Sequence, residues 1–277
     1  MKELPIDTRN LFRPLQGKLI ELLKSLDADD WNRQTVAKQW KVKDVVSHIL
    51  DTQLRVLSLQ RDGYYGEQPP EINEYEDLVR WLNQLNSEWV KATQRLSPQT
   101  LILLLESIGD LVSNHYASLH PWDEALFPVA WAGESTSYNW MHLAREYTEY
   151  WHHQQQIRDA VNKQGIMSRE FFYPVMSTFF QALPHTFRNT VAEKDTVIEA
   201  RITSEAGGSW YLIKTADGWT LELEASSSPS AIVTIPIKIS WILFSKSVRP
   251  HEIIDEVEIK GDEHLAKKVL EMVSVIA

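Results

Sequence analysis

The chain has no cysteine. This excludes disulfides, thiolate-ligated zinc and a thiol nucleophile of its own, and it leaves any metal to His, Asp or Glu. Basic residues are in deficit: 28 Lys and Arg stand against 38 Asp and Glu, for a formal net charge of −10. That balance speaks against general binding to nucleic acid and against electrostatic docking on an anionic membrane. Long apolar runs are missing too. The longest aliphatic run, residues 101–105, is far too short to cross a bilayer. The opening Met1-Lys2-Glu3-Leu4-Pro5 has no apolar stretch of a leader, Lys2 stands where myristoylation needs Gly, and no terminal Cys offers itself for prenylation. The location these absences predict is the cytoplasm. What is present is ordinary for a globular protein: 277 residues, 43% hydrophobic, with 11 Trp to fill interiors or wall a pocket.

The first two-thirds read as helices. Apolar residues recur at helical spacing over residues 8–26, 42–60, 74–96, 98–119, 138–161 and 168–183. Ser97-Pro98 is a helix start, with Ser97 as N-cap. Residues 121–137 form a loop rich in Trp and Pro, apolar enough to lie over something. After Asp195 the texture turns β-branched and alternating. Strands are predicted at 196–203, 210–215, 219–223, 231–235 and 257–260, with Asp217-Gly218 as a hairpin turn. A helix is placed at 263–275, and 237–245 also suits one. The expected class is α+β in two domains: a helical bundle over 1–185 and a small α+β domain over 195–277.

The informative segment is residues 145–158. Glu149 and His153 are four apart, so a helix sets them one turn apart on one face, where both reach the same point. A pair of this kind chelates one metal if a neighbouring helix supplies a third ligand, leaving a position for water or substrate. His48 is the candidate for that third place. Asp44, one turn before it, is placed to orient an imidazole, and Arg55, two turns after it, to meet an anionic substrate. The same stripe carries His142 and Glu146 at equal spacing, and spacing alone does not choose between the two pairs. One mononuclear site cannot use both His142 and His153, which lie about 16 Å apart along a helix. His152 points roughly 100° away from His153, so it is not expected to be a co-ligand. His115 and His120 read as structural or loop residues, Arg158 and Asp159 as surface or interdomain contacts, and 101–105 as core. Trp122, Trp131 and Trp140 suit either a pocket wall or aromatic core.

Trp40-x-Val42-x-Asp44-Val45-x-x-His48, followed by Glu149-x-x-x-His153 opening a Gln-Gln-Gln-Ile-Arg run, resembles the mycothiol-dependent maleylpyruvate isomerase family. That family's N-terminal domain is one of the DinB-like metal-binding four-helix bundles. The ending Val-Glu-Ile-Lys-Gly-Asp-x-x-Leu-Ala resembles its small C-terminal domain, related to sterol carrier proteins. The resemblance implies a divalent metal, zinc in the isomerases, on His48, Glu149 and His153. Many other DinB-like proteins carry His where Glu149 stands, so Glu149 favours the isomerase branch. One departure is Gln156, where family members often have Asp. The activity implied is cis–trans isomerisation or thiol S-transfer on a small electrophilic acid, with an external low-molecular-weight thiol such as mycothiol as cosubstrate and Arg55 for the substrate carboxylate. Two other readings stand beside it: a metal-dependent hydrolase or amidase on the same bundle, and a non-enzymatic metal-bearing binding module. Thiol dependence of turnover separates the first from the second.

Overall fold

The computed structural model describes residues 4–225 and 227–274. The expected helix end at Val275 and the opening Met1-Lys2-Glu3 lie outside the described residues. The helical part holds α1 (Phe12–Lys24), α2 (Val42–Arg55), α3 (Tyr75–Thr93), α4 (Pro98–Ser118), α5 (Asn139–Val161), α6 (Arg169–Phe180) and the single turn α7 (Leu183–Thr186). Helices α1, α2, α4 and α5 pack on one another as a four-helix bundle, and α3 lies outside against α2. Capping sets the starts. The Asp44 carboxylate accepts the Lys41 N–H at 3.0 Å, and Ser97 Oγ accepts the Thr100 N–H at 3.2 Å with Pro98 in the first turn. Asn162, in left-handed conformation at φ 54°, ends α5.

The helix predicted over 42–60 is two structures in series. Regular α2 stops at Arg55, and residues 56–61 continue it as a π-helix with wider turns. Leu101 and Leu105 are fully buried, but Leu103 is 60% exposed, so the aliphatic run belongs to the core on one side only. Among the described residues, no helix is long and apolar enough to cross a membrane.

The C-terminal part is a five-stranded mixed sheet in the order β3-β2-β1-β4-β5. Its strands are β1 (Val197–Ile202), β2 (Gly208–Lys214), β3 (Trp219–Glu222), β4 (Ala231–Ile235) and β5 (Glu258–Gly261). β1 pairs with β4 in parallel, and all other pairs are antiparallel. The β2–β3 hairpin turns at Asp217-Gly218, with Gly218 at φ 147° and Thr215 N–H bonded to Gly218 O. Helix α8 (Ile237–Phe244), the single turn α9 (Pro250–Ile253) and α10 (Glu263–Val269) complete this part. The last helix is shorter than its periodicity predicts, because the chain turns at Leu270 and Glu271.

Two buried apolar clusters hold the molecule. One, around Leu19, Leu22, Val46, Ile49, Leu105 and Ile157, lies within the bundle. The other runs from the bundle into the sheet, joining Trp151, Phe172, Phe180, Trp210, Trp241 and Phe244. Helix α6 carries much of that junction: Tyr173 stacks on Trp210 at 5.2 Å and Phe180 lies 4.6 Å from it. Large aromatics dominate such interfaces because each removes so much apolar surface from water.

Candidate metal centre

Helix α2 delivers His48 and helix α5 delivers Glu149 and His153 to one place. The two imidazole centroids are 4.6 Å apart with planes crossed at 78°. His153 Nε2 is 3.5 Å from Glu149 Oε2. Trp40, just before α2, roofs the pair, 4.7 Å from the His48 ring and 6.2 Å from that of His153. His48 is buried and its Nδ1 has no hydrogen-bond partner among the described residues. Burial first, then the imidazole of His153 and the Arg55 guanidinium, hold the His48 ring well below the ordinary histidine range. It is therefore neutral near pH 7, the form that ligates metals.

In chemistry, two imidazoles and a carboxylate suit a divalent cation with an open position. In geometry the set is closed upon itself, and among the described residues no group of three or more His, Asp or Glu is arranged to hold a metal ion. The reason lies in the distances. Two imidazoles on one tetrahedral ion hold their centroids roughly 5 Å apart, given metal–nitrogen bonds of about 2.0–2.1 Å. The observed 4.6 Å is tighter, and His153 Nε2 faces Glu149 instead of a shared centre.

Behind His153 stands Gln156. Its Oε1 is 3.0 Å from His153 Nδ1, and its Nε2 is 2.7 Å from His152 Nε2. One proton assignment satisfies both contacts: His153 Nδ1–H donates to the carboxamide oxygen, and the carboxamide N–H donates to His152 Nε2. His153 Nε2 is thereby left free on the side of His48 and Glu149. His152 is not near the shared point. It is buried, its ring 5.7 Å from Trp241 of α8, and burial pushes its pKa down to about 3.

Arg55 and Asp51 form a pair at 3.1 Å on the same helix as His48. Arg55 Nη2 also lies 3.5 Å from Asn86 Oδ1, while its Nε is buried without a partner among the described residues. Asp51, which spacing arguments passed over, is buried, and burial raises its pKa against the pull of Arg55. Its signal was available: it lies three residues after His48. Asp44 departs from expectation. Its carboxylate is spent on the start of α2 and not on an imidazole.

The rival pair is occupied otherwise. Arg145 Nη2 donates to His142 Nδ1 at 3.0 Å and to Glu146 Oε1 at 2.5 Å. His142 Nε2 meets Gln60 Oε1 at 3.1 Å, and Tyr116 OH donates to Glu146 Oε2 at 2.9 Å. Both ring nitrogens and both carboxylate oxygens are thus committed. His120 sits in the loop beside Asp123, and His115 is on α4. Arg158 is buried, not a surface residue; its guanidinium donates to the carbonyls of Lys18 and Gln164 and ties α5 to α1.

Comparison with solved structures finds a mycothiol-dependent maleylpyruvate isomerase at TM-score 0.51 and 13% identity, covering 87% of this chain and 88% of that one. A mutant of such an isomerase aligns over the same shares at 12% identity and the same TM-score. A sterol carrier protein 2 like 2 from Aedes aegypti aligns over 35% of this chain and 95% of its own, at 17% identity and TM-score 0.28. No curated protein matches. Residues 12–158, just over half of the chain, match the family described as the mycothiol maleylpyruvate isomerase N-terminal domain. The chain therefore belongs to the mycothiol maleylpyruvate isomerase N-terminal domain family.

Proposed function

We propose that this protein is a metal-dependent enzyme of the maleylpyruvate isomerase type that uses an external low-molecular-weight thiol, mycothiol or an analogue, on a small electrophilic acid. The observation that carries the reading is the meeting of His48, His153 and Glu149 from two helices, with His48 buried and its Nδ1 without a hydrogen-bond partner among the described residues. A divalent cation bound there, zinc above others, supplies Lewis acidity that keeps a thiol ionised at neutral pH. The chain has no thiol of its own, so the nucleophile must arrive with a cosubstrate.

His48, Glu149 and His153 are the residues that would hold the cation. Gln156 keeps the His153 proton on Nδ1 and so presents Nε2. Arg55, whose Nη2 is held by Asp51, would supply the positive charge that receives the substrate carboxylate. The thiolate adds to the cis double bond, forming a C–S bond and moving the π electrons toward the conjugated carbonyl. Rotation about the new single bond follows, and expulsion of the thiolate restores the double bond in trans geometry. Trp40 screens the two imidazoles from water.

The test is turnover of a cis-configured, conjugated keto acid by metal-replete protein with and without added thiol. Conversion to the trans acid only with thiol is the expected result; thiol-independent hydrolysis of an amide or ester would replace this reading with that of a hydrolase. His153→Ala and Glu149→Ala each lose a direct bond to the ion. Calorimetric zinc titration should show each weakening affinity beyond the roughly 10- to 100-fold typical of changes behind a ligand. His142→Ala should leave it unchanged.

A further inference from the structure

We propose that the cleft where the loop preceding α5 meets the C-terminal part binds a small organic anion that carries two or more acidic groups on a flat apolar body. The proposal is independent of the isomerase reading. The cleft has a volume of about 460 Å³, within the range of small-molecule sites. Trp131, His185, Arg188, Lys246, Lys268 and Glu271 line it, with Val273 adding apolar surface. It shares no residue with the His48, Glu149 and His153 set and does not include Arg55.

Its charge is the first argument. The whole chain carries −10, yet these walls bring three cations together with one carboxylate. Glu271 is taken by Lys268 at 2.5 Å. Arg188 donates to the carbonyl of His185 at 2.7 Å, and neither Arg188 nor Lys246 has a carboxylate partner among the described residues. Two cations are thus left facing one hollow. Like charges repel across a concave wall and are relieved by a bound anion, which such clefts also concentrate.

Shape is the second. Trp131 packs one side against the buried cluster and remains partly exposed toward the cleft. Apolar surface from Trp131 and Val273 in the lining rewards a flat apolar body, where a bare inorganic anion would gain nothing. The wall is also closely seated. Gly133 has φ 85°, and a Cβ there would stand 2.4 Å from His185 Nδ1, so the loop bearing Trp131 seats directly on the His185 ring. Burial, then Arg188, lowers the pKa of that ring, leaving it neutral near pH 7 with a donor and an acceptor to offer.

The experiment is calorimetric titration of the full chain at low salt with benzene-1,3,5-tricarboxylate, with benzoate and inorganic pyrophosphate as comparison ligands. One site per chain is expected, binding the tricarboxylate about tenfold or more tighter than either comparison ligand. Arg188→Ala and Lys246→Ala alter surface-accessible side chains, and each should weaken binding by about tenfold. His48→Ala should leave it unchanged. No binding, equal binding of pyrophosphate, full binding by the Arg188→Ala/Lys246→Ala double variant, or loss of binding in His48→Ala would each overturn the proposal.

Discussion

One carboxamide, Gln156, stands between two imidazoles and contacts a ring nitrogen of each. A carboxylate in its place would raise the basicity of His153 as a ligand. Gln156→Asp is therefore expected to tighten zinc binding by roughly 10- to 100-fold, read by competition with a chromogenic chelator. His142 makes a different prediction. Burial lowers its pKa to about 4, whereas the unfolded chain takes up that proton near pH 6.5. Its neutral form therefore contributes fully above pH 6.5, and that contribution is lost as pH falls toward 4; the gap corresponds to about 3 kcal/mol. Urea unfolding at pH 7.5 and 4.5 should show a smaller acid loss in His142→Gln than in the parent. These residues also mark what a sequence discloses. That Glu149 and His153 share a helix face was legible from their spacing; that His48 of another helix lies against His153 is seen only in the fold. The choice against His142 and Glu146 was not legible either, because their partners Gln60 and Tyr116 come from other helices, 82 and 30 residues away. No local pattern carries that information.

Helices long enough to repeat their apolar stripe were readable, and so was the Asp217-Gly218 hairpin. The π-helix at 56–61 was not, because one added residue per turn barely disturbs the stripe over six residues. Nor were α7 and α9, which at four residues each have no period to show. The connection before α5, expected to lie over something, does so only in part, since Leu126 is 47% and Phe127 37% exposed. Val129 in it is fully buried, and Trp131 is one of the cleft's walls. That connection depends on Gly133. Gly133→Ala would force a side chain into left-handed backbone and against the His185 ring, at a cost of about 2–3 kcal/mol. Urea unfolding measures the loss. A change below about 0.5 kcal/mol would show that the loop shifts freely, against its close seating on His185.

The stretch between α7 and β1 is exposed, with Val191 94% accessible, and we place the division between the two parts there. Trypsin is expected to cut first at Arg188 or Lys194, both exposed. The two fragments should still elute together in size-exclusion chromatography and separate only in denaturant, because one buried cluster runs through Trp151, Phe172, Trp210 and Trp241. Early cuts inside α5 or the sheet would count against this division. The change of texture near Asp195 was legible from alternation in the sequence. The shared interior was not, since apolar residues at the right period do not say which surface they cover. Trp241 of α8 rests on both Trp151 and His152, the residues next to His153. Pulling the two parts away from each other would strip this indole from Trp151 and His152 and bare the hollow it fills beside His153.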